Sequence, residues 1–404
     1  MRLGRFRAFV GVSLFLAALV FYLSNLTHLA PCFFASNSGP FLGGDPENIA
    51  RAMRHLSFSG DMRKHLLFSV VTRPQVRTIG RLLGANENTA IVYVLGAIAA
   101  IAVTSTWWVL ARHVTTALYA LLFAVVYGVA FVNLILFSVP ETYAVTGLAI
   151  IAYFWLLLSR EPGNSLRDGC LHGLAASLAG LFNPPLLSLL AVSVLHRAKP
   201  GAHRKNVAFA VTALVVAFVV FGLPYALIYG TKSLAFGLYY TRQLASFDNL
   251  TDIETIVFVY ISFFVVSFLS PLDMSVETYS LGNFLNYLTE PRLMLTIMLY
   301  AALAFVCVSA AIASADKLLV PVLVWILLMA TFFTYFNPKE AALYAGQIVF
   351  PLILLMARGM NSVRIPYPLG PLMVGAFAAS LALQNVSVLY RTAWFLAANP
   401  QVCE

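Results

Sequence analysis

From Ala8 to Leu26 the chain carries no charged side chain, and equally uninterrupted apolar runs recur over 206–229, 293–314 and 368–389. Each reaches the roughly 20 residues that an α-helix needs to cross the hydrocarbon core of a bilayer. Repeated runs of this kind exclude a merely greasy soluble protein. Composition agrees: of 404 residues, 61% are hydrophobic and 10% charged, against roughly 25% charged in a soluble domain. Backbone polar groups in lipid must be paired internally, so spanning segments are helices or closed barrels. Barrel strands would show ~10-residue alternating segments, and these runs are too long and too continuously apolar. The expected fold is therefore all-α: a single polytopic transmembrane helix bundle over residues 1–404, with about 10–11 spans.

Arg2, Arg5 and Arg7 precede the first run, and positive residues there keep an N-terminus cytoplasmic. A cleaved signal peptide is the alternative reading, against which the run is long for an h-region and lacks a clear small-residue cleavage site. Residues 28–87 then form the largest non-membrane stretch, an extracytoplasmic loop holding Asp45, Glu47, Asp61, Glu87 and seven Lys or Arg residues. Further spans are expected over 88–110, 114–137, 140–159, 206–229, 255–271, 293–314, 318–336, 340–358 and 368–389. Their cytoplasmic turns are marked by Arg112 and His113, by Arg160 to Arg167, by Asp316 with Lys317, and by Arg358 with Arg364. Residues 170–195 are apolar but broken at Asn183, Pro184 and Pro185, with basic clusters on both flanks. Proline interrupts helices, so this segment is either a re-entrant hairpin or one kinked crossing. With a hairpin, strict alternation fails unless a segment near 230–271 is interfacial.

Four cysteines, Cys32, Cys170, Cys307 and Cys403, show no metal-like spacing. Cys32 and Cys403 fall on the same side, and a pairing between them stays open. The net charge of +9 needs no nucleic-acid partner, because cytoplasmic loops of membrane proteins are rich in Lys and Arg. Asparagines in glycosylation sequons occur at 25, 249 and 385.

Charged residues in the long loop have ordinary structural readings and sharper ones. Asp45-Pro46 is a normal helix start, opening a segment in which Ile49, Met53 and Leu56 repeat at helical spacing among Arg51, Arg54 and His55. An amphipathic helix on the bilayer surface follows. Positive helix-terminus potential keeps a carboxylate at its start ionised, as a general base must be. A second surface helix begins near Arg63-Lys64-His65 before Leu66. Glu141, directly after Pro140, and the Lys339-Glu340 pair before Tyr344 fall on the same side as Asp45, Glu47 and His65. A cleft at one face of the bundle is implied.

This layout resembles the GT-C superfamily of integral membrane glycosyltransferases, which includes protein O-mannosyltransferases and lipid A aminoarabinose transferases. The likeness rests on a first span followed by a long outer loop with an early acidic motif, Gly44-Asp45-Pro46-Glu47. It rests also on Lys64-His65-Leu66-Leu67-Phe68, similar to a His-Pro-Leu-Phe pattern with Leu66 where the family has proline, and on Val139-Pro140-Glu141-Thr142-Tyr143 and Asn337-Pro338-Lys339-Glu340. The resemblance implies a sugar donor on a polyprenyl phosphate, and a glycan, lipid or protein acceptor outside a bacterial cytoplasmic membrane. Asp45 would be the base and Glu47 its acidic companion. Arg51, Arg54, Lys64, His65 and Lys339 would hold the donor phosphate, and Glu141, Glu340 and Tyr344 would orient the acceptor. No cofactor is required; magnesium or manganese is optional, and no ligand cluster demands one. A transporter or lipid flippase is the alternative from another class and would place ionisable residues at mid-depth along a pathway. A non-catalytic membrane subunit is the third.

Overall fold

The computed structural model describes residues 2–33, 46–56, 65–160, 165–198, 201–230, 245–270, 291–314, 316–363, 365 and 368–398. Among them it is all-helical, one isolated bridge between Ala245 and Phe336 excepted. Asp45, Asp61, Arg63, Lys64 and Cys403 lie outside the described residues, so neither the expected base nor the Cys32 pairing has a described geometry.

Helix α1 (Arg2–Phe33) leads to two short elements of the first loop, α2 (Pro46–Arg54) and α3 (Leu66–Leu83). α2 buries Ile49, Ala50 and Met53 and exposes Arg51, an amphipathic division that seats it on its neighbours α1 and α3. α3 closes on Gly84, whose positive φ of 60° is a left-handed helix end that glycine adopts freely. α4 (Glu87–His113) begins immediately, the Asn86 side chain accepting the Thr89 N–H at 2.9 Å as N-cap.

The next stretch, expected as one helix over 114–137, is two: α5 (Ala117–Val129) and α6 (Phe131–Leu136), broken at Ala130. The N–H groups freed at the break donate to another segment, Phe131 to the Phe268 carbonyl at 3.0 Å and Val132 to that of Ser267 at 3.4 Å. α7 (Tyr143–Ser159) and α8 (Ser165–Phe182) follow. The chain then reverses at Asn183 through a 3-10 turn (Pro184–Ser188) into α9 (Leu189–Arg197). Asp168 near the start of α8 pairs with Arg197 at the end of α9 at 2.6 Å, both about 7% exposed. The two ends of this segment therefore lie together, with its proline tip at the opposite end. α10 (His203–Tyr229) packs along α8, and the contact is tight because α8 offers small residues: a Cβ on Gly173 would stand 2.5 Å from the Ala213 carbonyl.

α11 (Ile253–Ile261) continues into a π turn, Ser262–Val266. Its N-cap Asp252 accepts from the Thr255 hydroxyl and from the N–H groups of Thr255 and Glu254, which hold its carboxyl below the usual range. The span expected over 255–271 is thus a short helix ended by a π turn. Its loop start, Ser246, bonds the Tyr335 carbonyl, and its end, Phe268, reaches α6. α12 (Pro291–Ala313) and α13 (Leu319–Tyr335) come next. The run expected over 340–358 is bent by 50° between a short piece, α14 (Ala341–Tyr344) with its 3-10 extension to Gln347, and α15 (Val349–Ser362). Gly359 lets α15 touch the Cys307 backbone of α12, where any Cβ would overlap it. α16 (Leu369–Ala398) closes the fold.

Among the described residues five helical segments are long and apolar enough to cross a membrane: Phe6–Ala30, Glu87–His113, His203–Tyr229, Leu293–Ala313 and Leu369–Phe395. The bent pair makes a sixth if it counts as one. Outward faces are apolar: Phe218 on α10 is 81% exposed and Phe9 on α1 is 69% exposed. Apolar surface of this kind suits lipid, not water. The bundle has two chemically distinct ends. One, the basic end, gathers Arg112, Arg160, Arg197, His196 against the Lys317 carbonyl, and the Asp316–Arg358 pair at 2.5 Å. The other carries the acidic side chains described next.

Candidate active site

Four segments far apart in sequence converge at the acidic end, each delivered by a helix terminus. Three of them are helix breaks imposed by Asn-Pro or Pro-Glu steps, whose fixed proline φ and missing N–H stop a helix. The first is the approach to α7. Ser138 to Thr142 are buried, and Glu141, 5% exposed, accepts the Thr142 N–H at 2.9 Å. The second is the α8–α9 tip, where Asn183 is extended and its amide nitrogen is buried beside the Tyr143 phenol. The third follows α13: Asn337 has φ 56°, the one described non-glycine residue with positive φ, a strained geometry that clusters at functional sites. Pro338 then starts a 3-10 turn.

Tyr344 and Tyr143 join these pieces. Tyr344 donates to Glu340 at 2.7 Å and stacks on Phe333, ring centroids 3.9 Å apart. The Asn337 amide reaches the Tyr344 hydroxyl at 3.5 Å. Tyr143 meets Tyr344 edge-on at 6.1 Å, and its phenol lies in the field of Glu141 and Glu340 beside Asn183. The fourth segment is His65, just before α3. Its Nδ1 stands 2.5 Å from the Phe182 carbonyl, so that nitrogen carries the proton and donates. His65 is thereby fixed next to Asn183.

Of the residues singled out in the sequence, Glu141, Glu340, Tyr344 and His65 gather here. Lys339 sits in the same turn, its side chain undescribed. Glu47, Arg51 and Arg54 lie on α2, where Arg51 and Glu47 form an i, i+4 pair at 2.6 Å with Arg51 58% exposed. Arg54 is partly buried and donates to its own helix at the Ala50 carbonyl, 3.4 Å. Tyr143 and Asn183 were visible in the sequence as a motif member and a helix break, without a role. The shared signal was the Asn-Pro step, present at 183–184 and again at 337–338.

The sequence matches no family model and no curated protein. Chemistry is therefore argued from the cluster itself. Two carboxylates, two phenols, two amides and an imidazole are ligands for hydroxyl-rich or phosphate-bearing molecules. Among the described residues no three His, Cys, Asp or Glu side chains are placed to hold one metal ion together.

Proposed function

We propose that the protein is a membrane glycosyltransferase of the GT-C kind, moving a sugar from a polyprenyl-phosphate carrier to an acceptor hydroxyl outside the cytoplasm, with inversion. The observation that carries this reading is the meeting of Glu141 and Glu340 through Tyr143 and Tyr344, at the bundle end opposite the arginine collar. The positive-inside tendency then puts the collar in the cytoplasm and the carboxylates outside. On this reading α1, α4, α5 with α6, α7, α8, α9, α10, α12, α13, α14 with α15, and α16 cross in alternation. The α8–α9 hairpin and the segment 245–270, which stays at the acidic end, reconcile the count.

The acceptor hydroxyl oxygen attacks the anomeric carbon while the bond from that carbon to the phosphate oxygen breaks. Phosphate leaves with the bonding pair, and the acceptor proton passes to Asp45. Lys64, Arg51, Arg54 and Lys339 supply positive charge toward the departing phosphate, arginine being suited to bidentate contact. His65, its Nδ1 committed to the Phe182 carbonyl, joins them in that anion site. Glu141 and Glu340 orient sugar hydroxyls, with Tyr344 holding Glu340.

The test is sugar transfer from a labelled polyprenyl-phosphate sugar by purified protein. Asp45→Asn is expected to lower the rate roughly 100-fold or more, the usual scale for a lost general base, while Tyr344→Phe lowers it less and leaves lipid binding intact. Unchanged transfer in Asp45→Asn removes the base assignment. Wild-type protein that moves lipid across vesicle walls without an acceptor, and transfers nothing with one, would be a flippase.

A further inference from the structure

A second candidate site lies away from the carboxylates, between α1 and α4. The two helices press together where Gly96 of α4 faces Leu19 and Leu23 of α1 and where Gly11 faces Trp107. Beyond Leu23 they part, leaving a cleft of about 780 Å³ lined by Leu23, Ser24, Thr27, His28, Ala30, Asn86, Asn88, Thr89, Val92 and Tyr93. It is separated from His65 by the length of α3, 18 residues or roughly 27 Å at 1.5 Å per residue.

Its position along α1 defines its surroundings. From Phe6, where the apolar stretch of α1 opens, to Thr27 is roughly 32 Å of helix, close to the ~30 Å of a hydrocarbon core. The polar rim of Ser24, Thr27, His28, Asn86 and Asn88 thus coincides with one headgroup boundary. Phe9, Leu16 and Val20, between 53% and 69% exposed, stand on one face of α1 that continues into Leu23 and Thr27. The lipid-facing stripe of the helix runs directly into the cleft, so a chain lying on that stripe ends with its head among hydroxyls and amides.

Charge narrows the head. No described Lys or Arg lines the cleft, and the residue between the lining Asn86 and Asn88 is Glu87, which is exposed. A purely anionic head would meet a carboxylate and no lining cation, whereas an ammonium-bearing one meets a carboxylate and several hydrogen-bond acceptors. We propose that the α1–α4 cleft binds one zwitterionic bilayer lipid of the phosphatidylethanolamine type, independently of the transferase site. The phosphate of that head takes hydrogen bonds from Asn88 and Ser24, and its acyl chain lies along Val20 and Leu16, within roughly 12 Å of helix from Ser24.

The full-length protein is reconstituted in turn with phosphatidylethanolamine, phosphatidylglycerol and a polyprenyl monophosphate, then extracted and weighed intact by native mass spectrometry. One retained phosphatidylethanolamine is expected. Ser24→Trp, which fills the cleft, and Asn88→Leu should each lower its retention about tenfold, the effect of removing roughly 1.4 kcal/mol of contact, with wild-type melting temperature. Equal retention in wild type and both variants overturns the proposal. So does a preference for phosphatidylglycerol, or for the polyprenyl phosphate, which would make the cleft a path for the donor. If one variant fails to fold, the other together with the three-lipid series on wild type still decides.

Discussion

Asn385 holds three backbone groups with one side chain. Its amide donates to the Val129 carbonyl at 2.7 Å and the Phe268 carbonyl at 2.6 Å, and its oxygen accepts the Ser270 N–H at 2.9 Å. Those groups sit at the break after α5 and at the end of the 245–270 segment, and of the three the Phe268 carbonyl also accepts the Phe131 N–H. Asn385→Leu keeps the volume and takes this partner from the Val129 carbonyl and the Ser270 N–H, at roughly 1–3 kcal/mol for each buried group left unpaired. The expected result is a clear drop in thermal stability in detergent, whereas the neighbouring exposed Leu383→Ala leaves it nearly unchanged. Nothing in the sequence marked this asparagine except a sequon, and burial removes that meaning: Asn25 and Asn385 are 2% and 0% exposed. The residue pattern did mark Glu141 and Glu340, because an acid within two residues of a proline at an apolar run's edge is conspicuous. Their partners Tyr143 and Asn183 were marked only as a motif member and a helix break, since a phenol or an amide inside an apolar run reads as packing until its neighbours are known.

Among the elements, the α8–α9 hairpin is the clearest unit. Asp168 and Arg197 close its base, Arg197 lies 5.3 Å over the Phe209 ring, and His172, Ser193 and Tyr153 form a buried chain across its middle, Tyr153 donating on to the Leu189 carbonyl at 2.8 Å. Breaking a buried ion pair from one side is costly, so Arg197→Met should cost up to roughly 3–5 kcal/mol, and Asp168→Leu added to it should recover part of that. Chemical or thermal unfolding of the single and double variants checks it; a double variant as weak as the single would show that the pair matters through its hydrogen bonds alone. The hairpin's turn could be read from Asn183-Pro184-Pro185. By contrast, the interruptions at Ala130, in the π turn after Ile261 and between Gln347 and Val349 fall within apolar runs, because they are stabilised by contacts between segments that no local pattern encodes.

At the scale of the whole molecule, apolar runs made the helical bundle legible, and charge made its two ends legible. The number of crossings was not, since parity depends on whether 170–195 and 245–270 return to the side they left. A cysteine-free variant carrying Thr251→Cys or Ser159→Cys separates the two ends. With an impermeant maleimide on intact cells, Thr251→Cys is expected to label and Ser159→Cys to label only after permeabilisation. The reverse pattern would put the Glu141–Glu340 cluster on the cytoplasmic side and end the case for a polyprenyl-phosphate donor used outside.

Because the legs of the hairpin are bolted together at Asp168–Arg197 and α8 is held flush against α10 by Gly173, the Asn183 tip is an anvil: it cannot tilt unless the lower bolts slip. The start of α3 is fastened to the same anvil through His65 and the Phe182 carbonyl, so the freedom left around the cluster belongs to the opposing jaw, the Asn337–Tyr344 turn.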